Sequence, residues 1–254
     1  MLVSSYNVNG IRAAVKKGFV DWVNSTKPDV ICLQELKADE SQIPDEIRSL
    51  GYHEMYHPAL KKGYSGVGIL SKVEPEKVQI GMGLDWVDEE GRVLMARING
   101  VDIYSVYAPS GTSGDVRQSL KYKFLDAFNE FSQDQLKSGN KVLMCGDYNI
   151  AHKEIDIHDP VSNKKSSGFL PEERAWFTSF LETGYFDVFR ELYPDLRDTY
   201  SWWTYRAGAK GNNKGWRIDY HLASQSIKER AVSGIIEREL NMSDHVPVTI
   251  KYEL

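Results

Sequence analysis

Val93-Leu94-Met95-Ala96-Arg97-Ile98-Asn99-Gly100-Val101-Asp102-Ile103-Tyr104-Ser105-Val106-Tyr107 reads as two strand-like runs, 93–98 and 101–107, joined by a short Asn-Gly turn of hairpin type. Such a turn makes the two strands antiparallel neighbours. Beyond them, residues 115–137 carry apolar positions at helical spacing, and Lys141–Cys145 is strand-like again. Working outward, further strand-like runs lie at Leu2–Val8, Val30–Leu33, Gly66–Leu70, Arg217–Leu222 and Val246–Tyr252. Residues 12–25 have helical spacing, and Pro171 followed by Glu172 and Glu173 resembles a helix start with an acidic first turn. Strands and helices interleave while some neighbouring strands are antiparallel, so the pattern predicts a mixed, layered α/β sandwich. No fixed-period repeat, low-complexity tract or long Pro/Gly/Ser linker divides residues 1–254, which are expected to form one domain, with 207–215 a surface loop.

Composition narrows the class of protein. With 254 residues, 41% of them hydrophobic, the chain can bury a large core. No apolar run is long enough to span a bilayer, and the first one, Met1–Val8, is interrupted by Ser4, Ser5, Tyr6 and Asn7, so neither a membrane anchor nor a signal peptide is expected. Cys32 and Cys145 sit inside apolar runs and read as buried free thiols, which favours a reducing cytoplasm. A net charge of −5 argues mildly against a polyanionic partner. Its distribution matters more: 206–217 holds Arg206, Lys210, Lys214 and Arg217 without an acidic residue, and Arg12, Lys16, Lys17, Lys61 and Lys62 form smaller basic clusters. These are either locally basic binding surfaces or ordinary solvated faces.

Polar residues gather beside the apolar runs, where a sheet edge presents side chains to a cleft. Asn7 and Asn9 end the first run, Gln34 and Glu35 the second; Asp147 and Asn149 follow Val142–Cys145, and Asp244 and His245 precede the last. Any one of these could be a turn former. Four together, rich in carboxylates and amides and without a Cys/His cluster, make a hard oxygen site that suits Mg²⁺ or Mn²⁺ far better than Zn²⁺. An ion held by one or two carboxylates keeps positions free for water and phosphate, as phosphodiester chemistry requires.

Asn7-Val8-Asn9-Gly10, Leu33-Gln34-Glu35-Leu36-Lys37, Tyr64-Ser65-Gly66-Val67-Gly68, Gly146-Asp147-Tyr148-Asn149-Ile150-Ala151-His152, Gly215-Trp216-Arg217-Ile218-Asp219-Tyr220 and Ser243-Asp244-His245-Val246-Pro247 occur in that order. In this order they resemble the motifs of the exonuclease III type of apurinic/apyrimidinic endonucleases, over nearly the whole chain. The resemblance implies a DNase I-like four-layer α/β sandwich, two mixed sheets flanked by helices. It also implies a Mg²⁺-dependent enzyme, with Mn²⁺ as a substitute, acting as a monomer on double-stranded DNA with abasic or 3′-blocked sites. The expected reactions are incision 5′ to an abasic site to leave a 3′-hydroxyl, with 3′→5′ exonuclease and 3′-phosphatase or phosphodiesterase activities, in base excision repair.

Site roles follow from the same resemblance. Glu35 is expected to bind the metal, with Asn7, Asn9 and Asp244 beside it and Asp147 and Asn149 also counted in the metal site. Asp147 would orient or deprotonate the attacking water with Asn149, Asp219 would fix the tautomer of His245, and the imidazolium would face the phosphate. Tyr107 would donate to the phosphate or assist the leaving oxygen. Substrate contacts are assigned to Arg117, Trp202, Trp203, Trp216 and Arg217, the aromatic residues walling a pocket for a flipped abasic sugar. Two positions depart from the family pattern: Tyr6 stands where Trp or Phe is common, and Trp202 where Phe is also found.

Overall fold

A computed structural model describes all of residues 1–254. In chain order the strands are β1 (Leu2–Asn7), β2 (Val30–Gln34), β3 (His53–His57), β4 (Val67–Ser71), β5 (Lys77–Ile80), β6 (Val93–Ile98), β7 (Val101–Tyr107), β8 (Val142–Asp147), β9 (Tyr185–Asp187), β10 (Asp219–Ser224), β11 (Ala231–Ile236) and β12 (Val248–Tyr252). The Asn99-Gly100 turn does what its sequence requires. Both residues are left-handed, with φ of 51° and 71°, so the chain reverses in two residues and sets Ile98 opposite Val101.

The strands form two six-stranded sheets, ordered β11-β12-β1-β2-β4-β3 and β5-β6-β7-β8-β10-β9. Each has one parallel pair at its centre, β1 with β2 and β7 with β8, and antiparallel neighbours on both sides. Side-chain alternation divides the central strands between two cores. Val30, Cys32, Leu143 and Cys145 face the space between the sheets, while Ile31, Leu33, Val142 and Met144 face outward. Helices cover those outer faces. Phe19 and Trp22 of helix Phe19–Thr26 pack with Tyr6 on the first sheet, and Phe124, Phe128, Phe177 and Phe180 of helices Asp115–Lys137 and Pro171–Glu182 pack on the second. The result is the expected four-layer sandwich. Both cysteines are free and buried between the sheets, and no helix is long and apolar enough to cross a membrane.

Four expectations shift in detail. The helical stretch 12–25 is two helices, Ile11–Lys16 and Phe19–Thr26, broken at Lys17-Gly18. β10 begins at Asp219 rather than at Arg217, and β12 begins only after Pro247, which has no N–H to give to a ladder. β8 runs two residues further than its apolar core, so Asp147 is its last residue instead of lying beyond it.

Sheet direction places the site. β12 runs antiparallel to β1 and β10 antiparallel to β8, so the starts of β10 and β12 meet the ends of β1, β2, β7 and β8 at one rim of the sandwich. Asp147 is in register with Tyr107 on one side and Asp219 on the other.

Candidate active site

At that rim a cleft of about 700 Å³ is lined by Glu35, Tyr107, Asp147, Asn149, Asp244 and His245, with Trp202 and Trp216 forming an aromatic wall. The backbone around it is unusual. Asn9, Glu35 and Asn149 all have positive φ, 46°, 51° and 53°, a region that non-glycine residues seldom occupy and that concentrates at functional sites.

Asp147 stands at the centre. Its carboxylate accepts from Asn7 Nδ2 at 2.9 Å and from the Asn149 backbone N–H at 2.8 Å, and Asn149 Nδ2 lies 3.3 Å away while also donating to Ala108 O. Burial raises the Asp147 carboxyl to about 7, reinforced by Asp219 and Glu35 and opposed by the neighbouring imidazolium. His245 donates through Nδ1 to Asp219 at 2.9 Å and turns Nε2 toward Asp147 at 3.7 Å. Burial would discharge this ring, but Asp219, Asp147 and Asp244 outweigh it and lift the imidazolium to about 10. Asp219 in turn accepts from Ser201 Oγ at 2.6 Å, and that hydroxyl receives the Ile218 and Asp219 N–H groups. The imidazolium is therefore oriented from behind and charged toward the cleft.

Glu35 accepts from Asn7 Nδ2 at 2.9 Å and pairs with Lys37 Nζ at 2.8 Å. Its half-buried carboxyl is held below its usual value, because Lys37 and Asn7 overcome the cost of desolvation. Asp244 accepts from Asn9 Nδ2 at 2.8 Å and from Trp202 Nε1 at 3.1 Å, tying the aromatic wall to the acidic cluster. Tyr107 keeps its phenol protonated through burial and the negative charge of Glu35 and Asp147.

A cation site fits this donor set. Oxygens of Glu35 and Asp147 and a nitrogen of His245 lie within 4.8 Å of one another. Around them four carboxylates, Glu35, Asp147, Asp219 and Asp244, meet only two cationic side chains, Lys37 and His245. Acids thus outnumber cations in a partly buried cluster, which suits a hard divalent ion. Asn7 and Asn9, expected beside the metal, present amide nitrogens to the carboxylates; the Asn7 oxygen accepts from the Asn9 N–H and the Asn9 oxygen from Lys37. In these contacts they orient the acids.

The substrate-contact expectations divide. Trp202 and Trp216 line the cleft, edge to face with ring centres 6.0 Å apart. Trp203 is 1% exposed and packs in the core, with its indole N–H on Asn213, so it walls no pocket. Arg217 is completely buried and spans Asp156 at 2.8 Å and Asp187 at 2.6 Å, which removes it from any substrate. Arg117 is turned away from the cleft lining, onto Glu90 at 3.3 Å and the Tyr64 hydroxyl at 2.8 Å.

Sequence reasoning passed over Lys37, Ser201 and Arg92. Arg92 stacks 4.9 Å from the Tyr107 ring and donates to the Tyr107 carbonyl and to Tyr64. Lys37 lies inside a quoted motif and Ser201 beside Trp202, yet only the folded chain shows which acid each one serves.

Residues 4–245 match the Endonuclease/Exonuclease/phosphatase family. The chain is 41% identical over 251 residues to an exodeoxyribonuclease of Bacillus subtilis (strain 168), covering 98% of both proteins. It is 40% identical over 253 residues to the DNA repair nuclease APEX1 of Danio rerio, covering 98% of this chain and 81% of that protein. Among solved structures, an AP endonuclease from Archaeoglobus fulgidus superposes with a TM-score of 0.91 at 31% identity, with 100% of each chain covered. The 3′ phosphatase NExo from Neisseria, bound to a product DNA hairpin, superposes at 0.93 with 28% identity over 100% of each chain. An ordered acidic rim, an aligned Asp-His pair and these likenesses across the full length lead to one statement: the chain belongs to the endonuclease/exonuclease/phosphatase family.

Proposed function

We propose that residues 1–254 act as one domain that hydrolyses phosphodiester bonds in damaged double-stranded DNA. The protein incises 5′ to abasic sites to leave a 3′-hydroxyl and also acts as a 3′→5′ exonuclease and on 3′ phosphates or phosphodiesters. The observation that carries this reading is the adjacency of the Asp219–His245–Asp147 array to a narrow wall of Trp202 and Trp216. Residues suited to phosphate chemistry lie beside an aromatic wall against which a flipped abasic sugar would sit.

Asp147, with Asn149 beside it, orients a water and accepts its proton as the water oxygen bonds to phosphorus. The bond from phosphorus to the upstream 3′ oxygen breaks, and that oxygen takes a proton to become the 3′-hydroxyl. Tyr107 lies close enough to the acids to donate in that step. The His245 imidazolium, held by Asp219, faces the charge that grows on the phosphate. Glu35, with Asp147 and Asp244 nearby, would hold Mg²⁺ or Mn²⁺, which when bound neutralises charge on the phosphate and the leaving oxygen. Exposed Arg12, Lys16, Lys17, Lys61, Lys62, Lys165, Arg206 and Lys214 supply contacts to the backbone of a duplex. A monomer working in the cytoplasm completes this reading.

The test is a duplex carrying one tetrahydrofuran site, incubated with the purified protein and Mg²⁺ or EDTA. A nick 5′ to the analogue, ending in a 3′-hydroxyl and absent with EDTA, is expected. Intact substrate in both reactions overturns the proposal.

A further inference from the structure

Helix Asp115–Lys137 buries Phe124, Leu125 and Phe128 against the second sheet, and on the same helix it also buries a charge. Lys121 and its partner Glu173, in helix Pro171–Glu182, are both 0% exposed. Desolvating an ion pair is expensive, and apolar side chains of similar volume serve packing at least as well. The pair has a more specific geometry. Lys121 Nζ donates to Glu173 Oε1 at 2.5 Å and to the backbone carbonyl of Asn149 at 2.8 Å. Glu173 Oε2 accepts the N–H groups of Gly168 and Leu170 at 2.6 and 3.0 Å, both in the loop that forms the far side of the cleft. That loop presses on Asn149: a Cβ at Gly168 would lie 3.0 Å from the Asn149 carbonyl oxygen and 2.9 Å from the Trp216 ring. Asn149 is thus gripped by its carbonyl while its backbone, at φ 53°, aims N–H and Nδ2 together at Asp147.

We propose that Lys121 is a positioning residue for the hydrolysis: anchored by Glu173, its buried ammonium fixes the Asn149 carbonyl and so keeps both Asn149 donors on Asp147. The proposal rests on the reading above, in which Asp147 and Asn149 manage the attacking water. It assigns a function to an ion pair that touches neither substrate nor cation.

Removing Lys121 alone would strand the Glu173 charge, so the informative variant neutralises both partners, Lys121→Met/Glu173→Gln. The amide oxygen introduced at 173 can still accept from Gly168 and Leu170. The double variant is expected to melt near the wild-type temperature, with kcat on the abasic duplex lowered roughly tenfold or more and KM changed by less than about twofold. Lys121→Arg, which keeps charge and donors, should retain most of kcat. The Asn149 amide resonance should shift in the double variant, and adding the two changes to Asn149→Ala, which keeps the backbone N–H but lacks Nδ2, should cost clearly less than they cost the wild type. A folded double variant with wild-type kcat overturns the proposal, as does an undiminished further loss on top of Asn149→Ala. If Asn149→Ala itself leaves kcat intact, the assignment of Asn149 falls first; if Asn149→Ala is slow and the double variant is not, only Lys121 is wrongly placed. Should the Met/Gln pair not fold, Lys121→Gln/Glu173→Gln is read by the same measures, because the shorter amide cannot span both partners.

Discussion

Behind the aromatic wall, Asp156 and Asp187 meet Arg190 and Arg217 in a buried cluster with as many cations as anions. At the rim, Glu35, Asp147, Asp219 and Asp244 meet only Lys37 and His245. Both clusters are hydrogen-bonded and both contain fully buried acids, Asp156 in one and Asp147 and Asp219 in the other, so burial of charge does not separate structure from chemistry. Balance does. The Arg217 cluster is complete in itself, and its arginine joins the 153–158 loop to the strand bearing Asp219. The rim is unbalanced, with more acids than cations, as a site for a cation requires.

The sharpest way to break this contrast is to neutralise one acid in each place. Asp147→Asn, or His245→Asn, should lower kcat by about 10²–10⁴-fold on the tetrahydrofuran duplex. Asp147→Asn should leave the metal-free melting temperature unchanged or higher, because it relieves repulsion within the acidic group. A large drop in melting temperature would place Asp147 with the structural cluster instead. Arg217→Met should do the reverse. It leaves Asp156 and Asp187 buried without their partner, and urea titration should show a loss of about 3–5 kcal/mol, with turnover per folded molecule nearly preserved.

Cation binding provides a second separation. In EDTA activity should vanish, and Mg²⁺ at about 100 times its dissociation constant should stabilise the wild type by about 2.7 kcal/mol. Glu35→Gln should lose that gain while Arg217→Met keeps it, as thermal shift would report.

pH pulls the clusters apart in opposite directions. Arg217 and Arg190 offset the burial of Asp156 and hold it down to about 2, so its contribution is full above the unfolded value near 4 and is lost only as pH falls toward 2. Asp147 is raised to about 7, so without metal the folded state carries the extra proton between about 4 and 7 and loses stability as pH climbs through that window. A cation favours the ionised acid, and Mg²⁺ stabilisation should therefore grow between pH 5.5 and 8. Equal stabilisation at both values would remove Asp147 from the cation site. The smallest effect is expected from Trp202→Phe, which keeps the wall and loses one N–H to Asp244: about 1 kcal/mol, or fivefold in kcat/KM.

The eight strand-like runs visible in the sequence are the eight interior strands, and the four it did not reveal, β3, β5, β9 and β11, are the four sheet edges. The reason is physical. An interior strand buried on both faces becomes a continuous apolar run, as in Val30-Ile31-Cys32-Leu33, whereas an edge such as Lys77–Ile80 is largely exposed and mixes polar with apolar residues. At the site, the acids at strand ends were legible because chemistry restricts their type. The sorting of Trp203 and Arg217 into the interior was not, since a basic and aromatic stretch looks the same whether it faces DNA or Asp156. Lys121 was hidden for a related reason: a single lysine in a helix reads as a solvated face.

The pairing of β1 with β12 sets Leu2 opposite Lys251 at one end and Ser5 opposite Val248 at the other, and beyond that second end the site takes a residue from each strand's side, Asn7 at the close of β1 and His245 just before β12. During synthesis, a chain that has emerged only as far as β8 already displays Glu35 and Asp147 but has no imidazolium and no aromatic wall. Closing so long a loop is a late event in folding. A chain whose last strand has come loose has lost His245 from its place on Asp219, so the Asp-His pair exists only in the completed fold.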